Sequence, residues 1–297
     1  MRKHTLVFWC LIFFPALALA QGGLRYTIQV LKFENNAGYR AQWDLGDAWG
    51  AVLTDKLNQM DRFIVLGEQD MRAAAMDEQD FAASGRTAGG NKTPQTGQMT
   101  PAQLIVKGVI SAFDDGTSGG SAGASYKGVR VGLKGGTALI SGTVYVVDTT
   151  TGMVLASNDF EAELKSKGIK LGLSKHGFNG DIGGFKKTPA GKVMAEACEK
   201  VADFLGEQVG RVAWSGTVVK GGDQNIIINR GTREGVSEGD VFRVGHTQEI
   251  RDPDTGELLD TDLTQSAVIK VTRVKERIAY CEKVEGTTPK TGESIFP

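Results

Sequence analysis

The sequence predicts an α/β domain followed by a small all-β barrel, and three features of the residue pattern lead to this fold class. Apolar residues alternate between strand-like runs and helical spacing over residues 26–83. Residues 190–212 form a long amphipathic stretch in which apolar residues recur at helical spacing. After Trp214 only short strand-like runs remain, separated by turns rich in Gly and Asp. A chain of 297 residues is long enough for two domains, and we place them at 21–213 and 214–297.

The first half of the α/β domain is predicted to run strand, helix, strand, helix. Residues 26–33 are rich in β-forming side chains and predict the first strand, which a loop over 34–44 follows. The apolar run at 62–66 predicts a second strand, and the Ala-rich stretch 68–79 predicts a second helix. The first helix is predicted from apolar residues at helical spacing, namely Trp49, Val52, Leu53, Leu57 and Met60. This order is typical of a mixed α/β core.

The second half of the domain contains the most apolar strands. Residues 84–100 are poor in apolar side chains and predict an exposed loop. Strands are predicted at 104–113 and 139–147, and a turn at 148–152 leads into a return strand at 153–164. The helix over 190–212 is predicted to bury Val193, Met194, Ala197, Val201, Phe204, Leu205, Val209 and Val212.

The C-terminal region is predicted to form a small barrel, SH3-like in size, because short strands follow one another without helices. The predicted strands are 217–219, 226–229, 241–244, 267–271 and 278–284.

Residues 1–20 have the pattern of a secretory signal peptide. Arg2 and Lys3 precede an apolar core over 6–14, and Ala18-Leu19-Ala20 forms a small-x-small cleavage site. We therefore expect export with cleavage before Gln21, the alternative being a buried N-terminal helix. No later stretch is long and apolar enough for a spanning helix, so any membrane crossing would use β-strands.

Charge and cysteine content narrow the function classes. The formal charge of −1 removes the electrostatic case for nucleic-acid binding, which needs a basic face or a clearly basic domain. Cys10 lies in the leader, so the exported chain keeps Cys198 and Cys281. Two distant cysteines do not make a disulfide framework. We interpret Cys198 as a buried inert thiol on the apolar face of its helix, with a Cys198–Cys281 bridge as the alternative.

The sequence contains no complete motif for catalysis or for cofactor binding. Neither glycine-rich nucleotide motif occurs, and His176 and His246 stand alone without metal-ligand spacing. The pattern GxSxG occurs around Ser118 and Ser121, but no helix follows it as a nucleophile elbow requires. The acidic residues over 252–262 lack EF-hand spacing. We expect no enzyme, no cofactor and no metal site, and we retain a periplasmic hydrolase only as a remote alternative.

Four stretches of the α/β domain resemble the CsgG/HfaB family of curli-type secretion channels. In order they read IQVLKFENNAG, LGDAWGAVLTDKLNQMDRFIVLGEQDM, AQLIVKGVISAF and ALISGTVYVVDTTTGMVLAS. The later region, with IIINRGTREGVSEGDVFRV and DPDTGELL, is similar to the C-terminal domain of the flagellar assembly protein FlgT.

The resemblance implies a homo-oligomeric ring in which every subunit donates strands to one outer-membrane β-barrel. The glycine-spaced segments at about 117–138 and 160–187 are the candidates for these strands. Apolar residues alternate with polar residues and glycines in both segments, as they do in the strands of membrane barrels. Residues 125–147 are predicted to be continuous extended chain. The predicted lipid-facing residues are Val129, Val131, Leu133, Ile169, Leu171 and Leu173. The alternative is a pair of long surface hairpins that do not enter lipid.

The family narrows its pore with a loop between the first strand and the first helix. In this chain that loop is short, and the residues that could line a constriction are Asn35, Asn36, Tyr39, Gln42 and Trp43. Helix capping and core packing are the alternative roles of these residues. Curli-type channels also carry a lipidated cysteine after the leader, whereas this sequence has Gln21, so we expect no acyl anchor.

The expected partners are other copies of the chain, a secreted curli- or adhesin-like polypeptide, periplasmic accessory factors that bind the C-terminal domain, and the outer membrane from its periplasmic face. The rival hypothesis is a soluble periplasmic scaffold of the envelope or of a flagellar ring, without a pore.

Overall fold

A computed structural model describes residues 23–40, 43–90, 93–115, 123–126, 129–132, 137–165, 185–256 and 258–297. These residues form two compact units, Arg25–Ala213 and Trp214–Pro297, and Gly23 and Leu24 belong to the second unit. The predicted leader lies outside the described residues.

The described residues of the first unit form a six-stranded sheet, a separate β-hairpin and the three α-helices named here. In chain order its elements are β1 (Tyr26–Val30), β2 (Glu34–Asn35), α1 (Leu45–Gln59), β3 (Phe63–Val65), α2 (Gln69–Ala83), β4 (Leu104–Asp115), β5 (Gly123–Tyr126), β6 (Val129–Gly132), β7 (Thr137–Asp148), β8 (Val154–Lys165) and α3 (Pro189–Gln208). The mixed α/β class predicted from the sequence is confirmed for this unit.

The main sheet has the strand order β3-β1-β4-β7-β8, with β2 beside β4. β1 is parallel to both of its neighbours, because α1 and α2 return the chain to the same end of the sheet. β4, β7 and β8 are antiparallel and twelve residues long each. The short strand β2 pairs Asn35 with Ile110, so the loop predicted at 34–44 begins with two paired residues.

The core of the first unit lies between the sheet and the packed pair α1 and α3. Asp44 starts α1 by accepting a hydrogen bond from the backbone N–H of Asp47 at 3.0 Å. Trp49 is fully buried and stacks on Phe160 of β8 with 4.5 Å between ring centroids. The apolar spacing that predicted both helices therefore corresponds to their buried faces.

Helix α2 differs from the other two, because none of its residues is buried. Met71, Met76 and Phe81 are each about half exposed or more. Among the helices of the described residues, none has both the length and the apolar character that crossing a membrane requires.

The second unit is a closed barrel of six strands in the order β10-β13-β12-β11-β14-β9. The strands are β9 (Gly216–Lys220), β10 (Ile226–Ile228), β11 (Val241–Arg251), β12 (Leu258–Val274), β13 (Ala279–Gly286) and β14 (Ser294–Phe296). The sequence predicted five short strands. It missed β14, which is only three residues long, and the polar halves of β11 and β12, because both lack the apolar alternation used to recognise strands.

Candidate functional site

The ends of three strands lie side by side at one end of the main sheet. Asp115, at the end of β4, pairs with Ala138 at the start of β7. Thr137, at the start of β7, pairs with Lys165 at the end of β8. The chain therefore enters residues 116–136 and residues 166–184 from the same end of the sheet, and it returns from the first of these segments at that end as well.

The return from the second segment lies at the same place. Phe185 is the first described residue after position 165, and its side chain is buried. Its ring meets the ring of Trp43 edge-on at 5.3 Å, and Trp43 in turn meets Phe113 of β4 at 5.9 Å. Two of the four junctions, at Asp115 and at Phe185, thus lie beside one cluster of aromatic side chains, and the other two are neighbouring strand ends at the same end of the sheet.

The first turn of α3 holds Phe185 in this position. The backbone N–H of Thr188 donates to the carbonyl of Phe185 at 2.9 Å, and the Thr188 hydroxyl caps the helix by accepting from Gly191 N–H at 3.0 Å. Gly191 approaches the Phe185 carbonyl so closely that a Cβ would collide with it. Lys186 forms an ion pair with Asp55 of α1, which ties the same point to a second helix.

The loop between β2 and α1 is attached to β4 through Tyr39. The ring of Tyr39 contacts Phe113 edge-on at 4.7 Å, and its hydroxyl donates to Asp115 Oδ2 at 3.0 Å. The side-chain amide of Asn35 donates to the Tyr39 carbonyl at 2.8 Å, and the backbone N–H of Asn36 donates to the Ile110 carbonyl at 2.9 Å. Burial and, to a lesser extent, the negative charge of Asp115 raise the pKa of Tyr39 far above its usual value.

The predicted constriction residues take two kinds of position. Asn35 and Asn36 have exposed side chains, whereas Tyr39 and Trp43 are half-buried and their rings contact each other at 5.2 Å. Packing within the subunit, which the sequence left as an alternative, accounts for the positions of Tyr39 and Trp43. Gln42 lies outside the described residues. A role in lining a pore stays a prediction for all five.

The predicted lipid-facing residues are only partly described. Val129 and Val131 lie in β6, which pairs with β5 so that Tyr126 stands opposite Val129. The chain therefore reverses between these two residues, and the prediction of continuous extended chain over 125–147 is wrong at this point. The sequence missed the reversal because Lys127-Gly128 is not one of the strong hairpin dipeptides. Leu133, Ile169, Leu171 and Leu173 lie outside the described residues.

Sequence reasoning did not single out Phe113, Asp115 and Phe185. Phe113 and Asp115 directly precede the glycine-rich tract, and Phe185 directly follows the second glycine-spaced segment. A bulky or charged residue at the border of a glycine-rich stretch is a usable signal for such a junction.

The cluster consists of aromatic rings and hydrogen-bonding side chains. Its described residues contain no set of side chains that could bind a metal ion. Within the described part of the chain, no group of three or more His, Cys, Asp or Glu side chains could hold an ion. Ser118 and Ser121 of the two GxSxG matches lie outside the described residues. Cys198 and Cys281 are free and buried, so the alternative of a bridge between them is wrong.

Comparisons with known proteins identify a family. Residues 14–224 match the family described as curli production assembly/transport component CsgG, and residues 223–288 match the C-terminal domain of flagellar assembly protein T. No curated protein is similar enough in sequence to match this chain.

Several solved structures are similar to part of this chain. The hypothetical protein CT253 from Chlamydia trachomatis is 14% identical, with 63% of this chain and 99% of that chain covered and a TM-score of 0.40. The PelC dodecamer from Paraburkholderia phytofirmans is 14% identical over 62% and 89% of the two chains, with a TM-score of 0.30. Lipoprotein GNA1162 from Neisseria meningitidis is 13% identical over 63% and 99%, with a TM-score of 0.27.

Such TM-scores carry no functional argument, whereas the family match extends over more than half of the chain. This protein belongs to the CsgG family of curli production assembly/transport components.

Proposed function

We propose that this protein is the subunit of a homo-oligomeric secretion channel in the outer membrane, which exports an unfolded curli- or adhesin-like polypeptide. In this proposal, residues 117–138 and 160–187 of every copy form the strands of a shared barrel wall. The α/β unit lies on the periplasmic side, and the C-terminal barrel docks accessory factors or neighbouring subunits. The chain performs no catalysis, and the substrate diffuses through a polar lumen.

One observation carries the proposal beyond family membership. Both glycine-spaced segments start from one end of a firm antiparallel sheet, and both return to that end, with two of their four junctions beside one aromatic cluster. Two hairpins that project from one end of a folded body can be shared side by side between copies to close a wall, and closure removes the unpaired strand edges. The described strand β6 has four residues, fewer than the 9–11 that a span needs, so the wall would require residues on both sides of it.

In this proposal, the loop at 34–44 narrows the channel. It packs on Phe113 and Asp115, where the first segment leaves the sheet. The exposed amide side chains of Asn35 and Asn36 would face the lumen, while Tyr39 and Trp43 would hold the loop against the base of the wall.

Replacement of residues 116–137 by the turn Asn-Gly tests the channel. This change keeps β4 and β7 as a tight hairpin, because Asp115 and Ala138 already stand opposite each other. We expect the wild type to require detergent for extraction, to form rings with a transmembrane belt in electron micrographs, and to conduct in planar bilayers. The shortened chain should stay folded in the periplasm but should lose all three properties.

A matched control replaces residues 94–98, which are exposed in the loop between α2 and β4, by the same turn Asn-Gly. This control should behave as the wild type does. A wild-type chain that washes off membranes without detergent and does not conduct would refute the proposal.

A soluble scaffold of the envelope or of a flagellar ring is the second candidate. The match of residues 223–288 to the C-terminal domain of flagellar assembly protein T favours it. This candidate predicts a fraction that is soluble without detergent and a shortened variant that keeps full function. Assays of secretion and of motility in a strain that carries the shortened chain separate the two candidates.

A further inference from the structure

The hairpin of β11 and β12 extends well beyond the barrel. β11 pairs with β14 only over Arg243–Gly245, and β12 pairs with β13 only from Ala267 onward. Residues 246–256 and 258–264, which we call the arm, pair only with each other among the described strands. At about 3.3 Å per residue, the arm reaches roughly 25 Å from the barrel.

The arm lacks the cover that a two-stranded ribbon normally needs. A ribbon without a third strand or a second layer is only marginally stable in water. Ile250 is 46% exposed and Leu259 is 59% exposed, so both leave apolar surface on the arm. The edges of both strands are open to an additional partner.

The arm is strongly acidic. Its described residues include Glu249, Asp252, Asp254, Asp260 and Asp262, and Arg251 is their only lysine or arginine. Arg251 pairs with Glu249 at 2.8 Å. Within the described part of the chain, Asp260 and Asp262 take part in no ion pair and are exposed, so their charges are available to a partner.

A basic surface lies at the opposite end of β12. Arg273 lies near the end of β12, Lys275 and Arg277 lie in the turn between β12 and β13, and all three are exposed. The guanidinium of Arg273 lies 3.8 Å from the centroid of the Tyr280 ring, which leaves the charge at the surface. Among the described residues, no carboxylate forms an ion pair with any of these three side chains. We call residues 273–277 the basic turn.

We propose that the arm of one copy docks on the basic turn of the next copy. One strand of 17 residues carries unpaired negative charge near its start and unpaired positive charge just past its end. Two arms would repel each other, whereas an arm and a basic turn attract, so the contact is head-to-tail. Head-to-tail contacts close into rings when the rotation between copies permits. The inference therefore rests on the homo-oligomeric part of the proposed function.

Disulfide trapping with the full-length chain tests the contact. One preparation carries Thr261→Cys in the arm and another carries Glu276→Cys in the basic turn, and the two are mixed under mild oxidation. The native cysteines are buried and should not contribute. We expect a disulfide-linked dimer of the two chains. A yield no higher than that of either preparation alone overturns the inference.

Charge reversal tests the physical cause. Lys275→Glu with Arg277→Glu in the Cys-bearing chains should lower the dimer yield roughly tenfold, and Asp260→Lys with Asp262→Lys should do the same. Both reversals together should restore the yield to within about twofold, because the attraction is re-formed with opposite sign. The control Lys220→Glu with Lys290→Glu places the same charge change elsewhere on the barrel and should leave the yield unchanged.

The combination of both charge reversals also controls for misfolding, because a second reversal would not restore the dimer yield of a variant that is simply unfolded. A loss that the swap does not restore overturns the inference. Bilayer conductance of the wild type is measured in parallel. If the wild type forms conducting rings but the disulfide does not form, only the arm contact is refuted. If the disulfide forms but the wild type does not conduct, only the channel is refuted.

Discussion

The hydroxyl of Tyr39 donates a hydrogen bond of 3.0 Å to Asp115, 76 positions further along the chain. This bond joins the loop before α1 to the last residue of β4, from which the first glycine-spaced segment departs. The loop is therefore attached to the end of β4, next to the point where the segment begins.

Tyr39→Phe should lower the free energy of unfolding by about 1–2 kcal/mol, because it removes one hydrogen bond to a carboxylate and keeps the ring. Urea denaturation at pH 7 measures this change. A variant as stable as the wild type would mean that the bond contributes nothing net.

The same substitution should change the dependence of stability on pH. The folded protein raises the pKa of Tyr39, so above pH ~10 the unfolded chain loses this proton while the folded chain retains it. The free energy of unfolding of the wild type should fall as pH rises through this range. That of the Tyr39→Phe variant should fall less steeply. The raised pKa of Tyr26 is present in both chains and cancels. Equal slopes between pH 9 and 11 would contradict the assignment.

Trp43→Ala should destabilise the first unit by about 2–4 kcal/mol, because it removes the ring that joins Tyr39, Phe113 and Phe185. Trp43→Phe keeps an aromatic ring and should lose less than about 1.5 kcal/mol. Urea denaturation again gives both values. A loss for the alanine variant no larger than that for the phenylalanine variant would show that the cluster is not what holds the junctions together.

Gly191→Ala should destabilise the protein by about 1–3 kcal/mol, since the new methyl group would displace the Phe185 carbonyl at the start of α3. Gly50→Ala is the matched control in α1, where a Cβ would meet no atom within 4 Å. That change should be neutral or stabilising by up to about 1 kcal/mol. The two variants are compared by thermal unfolding, and equal midpoints would contradict the close approach.

Both cysteines of the exported chain should be inert in the folded protein. Burial raises the pKa of Cys198 well above its usual value and that of Cys281 to about 12, so little thiolate is present at neutral pH. A chromogenic disulfide reagent should label neither thiol in the native protein and both after denaturation. Rapid labelling of the folded chain would contradict this expectation.

Much of the α/β unit could be predicted from the sequence, because its elements carry strong local patterns. The spacing of Trp49, Val52 and Leu57 matches the buried face of α1, and the continuous apolar run of β4 matches a strand in the centre of a sheet. The barrel strands β9, β10 and β13 were recognisable for the same reason. In contrast, β14 and the arm of β11 and β12 depend on pairing partners that no local pattern reveals.

The candidate site was only partly predictable. Tyr39 and Trp43 were singled out in the sequence, but as residues that could face a lumen, while the structure packs them against Phe113 and Phe185. Positions 43, 113 and 185 are far apart in the chain, and their contact arises only when β4 and the start of α3 are brought to the same end of the sheet.

The sequence by itself determined the classes of element, their order and the family, because hydrophobic periodicity and motif order are local properties of a chain. Only the tertiary structure decided that the junctions of the glycine-spaced segments lie at one end of the sheet, two of them beside one loop, and that β12 carries opposite charges at its two ends. Both relationships depend on strand register, and register follows from the packing of the whole sheet or barrel rather than from neighbouring residues.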